Sequence, residues 1–175
     1  MTLGMRLSTL LGAVVVMVCP AALAAEPADV GQLAGEWRLD LEASSDPVPA
    51  LERLDVSWVV RKAARSVRPR NRIDLKDGTL TNVMQSLIVT RTVTQKLDGA
   101  TPTQEDFFGY ALTYTSVVEG GAVVSRGSID LKKDGKAPVE LRREVQPDGR
   151  MTLTIKVSPP EEQPLEIVRV FNRER

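Results

Sequence analysis

The chain has no histidine and a single cysteine among its 175 residues, and its aromatics amount to two Trp, two Tyr and three Phe. Each shortage excludes something. Without histidine there is no imidazole base or ligand, and one cysteine supports neither a disulfide framework nor a thiolate zinc site. No G-x-S-x-G, phosphate-binding loop or metal-ligand spacing occurs either. The reading is therefore of a protein that is not an enzyme and that takes no cofactor or metal. Charge of either sign is also missing in excess, because 23 basic residues face 23 acidic ones. That balance argues against a nucleic-acid partner.

The first residues read as a leader. "MTLGMRLSTLLGAVVVMVCPAALAA" carries Arg6 in a short n-region, an apolar run from Leu10 to Val18, and Ala22-Leu23-Ala24 as an A-x-A cleavage site. The apolar run is short of the roughly 20 residues a membrane helix needs. A lipid anchor on Cys19 is disfavoured because Val18 stands where a small residue is wanted. The expectation is a signal peptide over 1–25, a mature domain over 26–175, and a periplasmic or secreted location. Cleavage removes the only cysteine and leaves 22 basic residues against 23 acidic ones. The remaining chain of about 150 residues has the size of one domain and must be held by its core rather than by disulfides.

From Arg72 onward the sequence reads as strand, turn, strand. "RIDL" and "TLTNVMQSL" flank "KDG", and "LIVTRTVTQKL" runs to the next "DG". "YALTYTSVV" and "AVVSRGSIDL" flank "EGG", "VELRREV" and "MTLTIKV" flank "QPDGR", and "LEIVRVFNR" follows the loop "SPPEEQP". Asp-Gly and Gly-Gly between alternating β-branched residues are tight-hairpin signals. "ATPTQEDFF" offers one further, weaker strand, and its acidic residues read as loop or strand-edge charges. Upstream, "GEWRLDLE" alternates Trp37, Leu39 and Leu41 with charged neighbours, as a half-buried first strand does.

Between that strand and the rest lies "PVPALERLDVSWVVRKAARSVRPR" at helical spacing. Pro49 suits a helix start with Asp46 as its cap, and Pro69 stops the segment. Val56, Val59, Val60, Ala63 and Val67 fall on one side, with Arg61, Arg65 and Arg68 opposite. A phase shift near Asp55 divides the segment into two short helices. The order is strand, helical pair, long meander. A meander of this length removes its edges by closing. The expected fold is all-β: an up-and-down antiparallel β-barrel of about eight to ten strands, with a two-helix lid over 49–68 between the first and second strands.

This order and these residues resemble the intracellular lipid-binding proteins, the fatty-acid-binding protein family within the calycin or lipocalin-like group. "GEWRL" is similar to the family's opening G-x-W-x-L, "LDVSWVVRKAARSVRP" to its helical lid, and "LRRE" with "VRVFNR" to the strands that hold two inward arginines and an R-x-Y. The resemblance implies that Arg143 and Arg169 bind a ligand carboxylate, with Phe171 where the family has Tyr, Leu141 beside Arg143, and Trp58 as the inward aromatic of the lid. The chain departs from the family after its first strand, where "SSDPV" replaces an Asn-Phe-acid signature, and at Phe171, which has no hydroxyl.

Strand parity by itself places Leu141, Arg143 and Val145 on one face, and Ile167, Arg169 and Phe171 on another. Two readings of the arginines stay open. They face solvent or pair with Glu140, Glu144 or Glu166; or they point inward, within reach of one anion. The functional expectation is an exported carrier, monomeric, that encloses a fatty acid or similar apolar anion and touches anionic membrane transiently through its basic lid. The alternative is a barrel with a filled interior that serves as a protein-interaction or hydrolase-inhibitor module. A large internal pocket favours the carrier, and a packed interior favours the module.

Overall fold

The computed structural model describes residues 29–86, 89–131 and 135–174, so the expected signal peptide lies outside the described residues. A 3-10 turn at Val30–Leu33 leads into β1 (Gly35–Asp40), and the helices α1 (Val48–Arg53) and α2 (Trp58–Ser66) follow. Then come β2 (Arg70–Lys76), β3 (Thr79–Gln85), β4 (Thr90–Lys96), β5 (Thr103–Phe107), β6 (Tyr110–Glu119), β7 (Ala122–Leu131), β8 (Gly135–Val145), β9 (Met151–Val157) and β10 (Leu165–Arg173). All ten strands form one antiparallel sheet in which β1 pairs with both β2 and β10. The chain thus has the expected lidded barrel, and "ATPTQEDFF" supplies β5.

Alternation and turn chemistry account for the hairpins. Lys76 pairs with Thr79 across Asp77 and Gly78, both at positive φ (49° and 67°), the conformation of a type I′ turn, and Asp-Gly tolerates it. Closure is incomplete, which corrects the expectation that the barrel has no edges. β4 and β5 end the strand order and share no ladder. Side chains bridge this seam instead: Arg91 of β4 meets Glu105 of β5 at 3.4 Å, and Gln95 of β4 accepts from Ser116 of β6 at 3.4 Å.

Two apolar clusters fill the interior. One sits at the closed end, where Trp37, wholly buried, packs with Leu33, Ile73, Leu80, Met151 and Phe171. The Trp37 indole N–H donates to the Leu33 carbonyl at 2.9 Å, and the Arg173 guanidinium lies 4.2 Å from its ring centroid. The other cluster lies under the lid. Ala50 and Leu51 of α1, with Leu54 and Val56 just after it, pack on Tyr110, Leu112, Ile129, Val157 and Ile167. The Tyr110 hydroxyl donates to the Leu54 carbonyl.

The helices separate at Asp55, which takes a positive φ of 55°. Their packing corrects two expectations. Trp58 is 64% exposed and Val59 is 65% exposed, so neither faces inward. Val60 and Ala64, one helical turn apart, contact the lid cluster and set the inner side of α2. Trp58, two residues before Val60, falls roughly 200° away around the helix. The inward volume that it was expected to fill is occupied by Leu51, Leu54 and Val56.

The segment "SSDPV" has a clear local role. Beyond the end of β1, Ser45 continues the pairing with β10: its N–H donates to the Val168 carbonyl at 2.9 Å, and its hydroxyl accepts from the Val168 N–H at 2.8 Å. Ser44 Oγ likewise accepts from the Val170 N–H at 2.9 Å. Asp46 then accepts from the Val48 N–H at 3.0 Å, at the start of α1, and holds Arg65 of α2 at 2.6 Å.

Candidate functional site

Register settles which way the two arginines point. Arg143 of β8 pairs with Leu153 of β9, and Leu153 pairs with Arg169 of β10, so all three share one face of the sheet. Ile167 and Phe171, flanking Arg169 on that face, are buried, as are Met151 and Ile155 flanking Leu153. Arg143 also pairs with the buried Val123 of β7. That face is the barrel interior. The acidic residues that offered the alternative are engaged elsewhere: Glu140 with Arg126 at 2.9 Å, Glu144 with Arg142 at 2.7 Å, and Glu166 with Lys156 at 3.4 Å. Among the described residues no carboxylate comes within ion-pair distance of Arg143 or Arg169.

Burial lowers the pKa of both guanidiniums from the ordinary arginine value. For Arg143 the nearby Tyr114 and Glu105 oppose that fall, and for Arg169 Asp46 does. The two arginines occupy one row of the sheet, with Leu153 between them. Both remain cations, since arginine does not lose its proton in proteins. A desolvated cation without a partner is costly.

The other expected residues divide. Leu141 lies two positions from Arg143 on the same face, packs against the lid cluster, and lines an apolar gap of about 150 Å³ with Phe107, Leu112, Ile129, Val139, Ile155 and Val157. The gap is too narrow to admit water. Phe171 is buried in the closed-end cluster, on the other side of Arg169 from Ile167. Trp58 lies outside the barrel, with Lys62 above its ring at 5.2 Å, and takes no part in the interior.

Sequence reasoning missed a polar belt between the two apolar clusters. It comprises Gln95, Ser116 and Ser125, all buried, the Arg91–Glu105 pair, and Tyr114, of which only 3% is exposed. Glu105, read from the sequence as an edge charge, points inward: it pairs with the buried Leu112, and its side chain is 17% exposed. Its place two residues from Phe107 on an alternating strand is the signal that marked it. Burial and the Glu105 charge push the Tyr114 hydroxyl pKa far above the ordinary tyrosine value, so it stays protonated. Asn71 and Asn82 add two buried side-chain oxygens that have no protein partner. Such atoms call for water or a polar ligand group.

At the mouth, an open cleft of about 420 Å³ lies between the helical connection (Asp55, Val56, Ser57, Val60) and the β5–β6 turn (Asp106, Phe108, Gly109, Tyr110). The arrangement is that of a lidded barrel with a cationic interior: arginines at mid-height, an apolar gap lidward of Arg143, and a cleft at the rim. It is the architecture of the fatty-acid-binding proteins. The solved structures it matches include fatty-acid-binding protein 1 of Echinococcus granulosus (TM-score 0.64, 23% identity, covering 82% of this chain and 98% of that one). Lipid binding protein 8 of Caenorhabditis elegans matches at a TM-score of 0.68 with 18% identity, over 84% of this chain and 99% of that one. A Schistosoma mansoni fatty acid binding protein in complex with arachidonic acid matches at 0.65 with 18% identity, over 84% and 99%. No family model matches the sequence, and neither does any curated protein. The chain has the fold of the fatty-acid-binding proteins.

Proposed function

We propose that this protein is an exported carrier that encloses a fatty acid or similar apolar anion inside its barrel. One observation carries the reading: Arg143 faces the interior with no carboxylate at ion-pair distance among the described residues, directly below an apolar gap. A carboxylate head at Arg143 points the first methylenes toward that gap, which must widen between Leu141 and Ile155 to admit them, with the tail beneath α1. Each buried CH₂ contributes about 0.8 kcal/mol of gross driving force, from which ordering costs subtract. The arginine fork then sets orientation by two parallel charge-assisted bonds. Arg169, in the same row of the sheet, brings the second charge to that carboxylate, and Phe171 forms the far wall. The gap as it stands does not admit even water, so an acyl chain enters as α2, which has no fully buried residue, lifts from the mouth.

The leader exports the chain, and the carrier acts as a monomer in the periplasm or outside the cell. Contact with anionic membrane is the delivery step. Arg53, Arg61, Arg65, Arg70 and Arg72 of the basic lid segment are held by acidic partners. The contact therefore falls to Trp58, Val59, Lys62 and Arg68. Changing Lys62 and Arg68 to Glu is expected to slow transfer to anionic vesicles severalfold and to leave transfer to neutral ones unchanged. The narrowness of the gap favours a second reading, a filled barrel that binds another protein or inhibits a hydrolase through its rim. Native mass spectrometry with lipid extraction of the purified protein separates the two. A stoichiometric acidic lipid supports the carrier. Failure to recover or reload any lipid overturns it.

A further inference from the structure

The interior wall built by β2, β3 and β4 differs from the rest of the barrel. Asn71 of β2 pairs with the wholly buried Trp37 of β1 on one side and with Met84 of β3 on the other, so it faces inward. Asn82 of β3 pairs with the buried Ile73 of β2 and with Val93 of β4, and it faces the same way. Asn82 lies two residues from Met84, which makes the two asparagines diagonal neighbours on one face, roughly 7–8 Å apart at their Cα atoms. Asn71 is 7% exposed, and the Oδ1 atoms of both are buried with no hydrogen-bond partner among the described residues. The apolar residues beside them, Met84 and Val93, are half-buried and pack into neither apolar cluster. This wall is the stretch of interior that neither cluster fills.

Buried acceptors set among apolar side chains demand a donor, because leaving them unmet costs their desolvation. An ionised carboxylate has no proton to donate, so the acid head that goes to the arginines cannot serve them. A hydroxyl can, and it suits either end of an amide because it both donates and accepts. A polyol or sugar would need far more polar partners than two amides set beside Met84 and Val93. We propose that Asn71 and Asn82 form a second ligand subsite that takes a mid-chain hydroxyl, so that the preferred cargo is a hydroxylated fatty acid. This rests on the carrier reading and deepens it. β10, which bears Arg169, is two strands from β2 by way of β1, a lateral distance of about 10 Å. The hydroxyl is thus set well along the chain from the carboxylate. The arginines fix one end of the ligand, and the asparagines fix its middle.

The test uses the delipidated protein, with oleate, its 12-hydroxy derivative ricinoleate, and 2-hydroxyoleate as probes, measured by calorimetry. Ricinoleate is expected to bind about fivefold tighter than oleate, the scale of one neutral hydrogen bond. The hydroxyl of 2-hydroxyoleate adjoins the carboxyl and should bring no gain. Asn71→Leu and Asn82→Leu, close in volume to the residues they replace, should each lower the preference for ricinoleate over oleate and together abolish it. In the unaltered protein, ricinoleate should shift the side-chain amide resonances of Asn71 and Asn82 beyond any shift that oleate causes, a readout that does not depend on a variant folding. Ricinoleate bound no tighter than oleate would mean that the asparagines hold water only, and would overturn the proposal while leaving the carrier standing. A preference that survives both substitutions, an equal gain for 2-hydroxyoleate, or like amide shifts for oleate and ricinoleate would overturn it as well. If the unaltered protein binds none of the probes, the carrier reading falls and this inference falls with it.

Discussion

The two helices of the lid look alike in sequence and differ in the fold. α1 has six residues and places Ala50 and Leu51 in the core, followed by Leu54 and Val56. α2 has nine residues and buries none fully; its inner side touches the cluster only through Val60 and Ala64. What holds α2 is polar and local: Arg65 to Asp46 at 2.6 Å and Arg61 to Glu52 at 3.5 Å. Exposed pairs of this kind contribute about 0–1 kcal/mol each, whereas a buried leucine contributes several. One helix is thus part of the core, and the other is a flap resting on it beside the cleft at the mouth.

The largest test of that contrast is Leu51→Ala. It leaves a cavity in the lid cluster and is expected to cost about 2–5 kcal/mol in urea unfolding. A loss below about 1 kcal/mol would mean that α1 is no better anchored than α2. Next come the interior arginines. Arg169→Leu is expected to weaken oleate by at least about tenfold and to spare oleyl alcohol, because only the acid uses the charge. The same change should leave the empty barrel as stable or more so, since it removes a desolvated cation. Acid and alcohol bound as in the unaltered protein would remove Arg169 from the site.

Asp46→Ala cuts both the N–H acceptor at the start of α1 and the tie to Arg65. About 1 kcal/mol of stability should go, and amide exchange should quicken in α2 while the amides of α1 after its first turn keep their protection. Equal quickening along both helices would show that the lid moves as one body. The smallest effect belongs to Trp58→Ala, expected within about 0.5 kcal/mol of the unaltered protein. The change should also abolish the fluorescence component that acrylamide quenches, leaving the buried Trp37. If quenching survives it, Trp58 is not the exposed tryptophan.

The same contrast explains what could be read in advance. Hairpins were legible because their information is local: Asp77-Gly78 and Gly120-Gly121 sit where β-branched alternation breaks, and the short turns leave little choice of partner. The site was legible only in outline. Alternation placed Arg143 beside Leu141 and Arg169 between Ile167 and Phe171, but left open whether that face met water or core. Trp58 was misplaced because an aromatic on a short amphipathic helix has several neighbours competing for one inward volume, and Leu51, Leu54 and Val56 took it. Glu105 was misread because a lone acid on a strand is usually solvated.

The sequence by itself determined the order of elements, the tight turns, the division of the lid at Asp55, and which residues share a face. Each of these follows from backbone preferences within a few residues. The tertiary structure alone decided that β10 returns to β1, that the seam falls between β4 and β5, and that Arg91 and Gln95 of β4 meet Glu105 and Ser116 across it. The contacts across the seam join strands that share no ladder. Their meeting depends on how a twisted ten-strand sheet curls round to bring its two ends together, and no local preference encodes that closure.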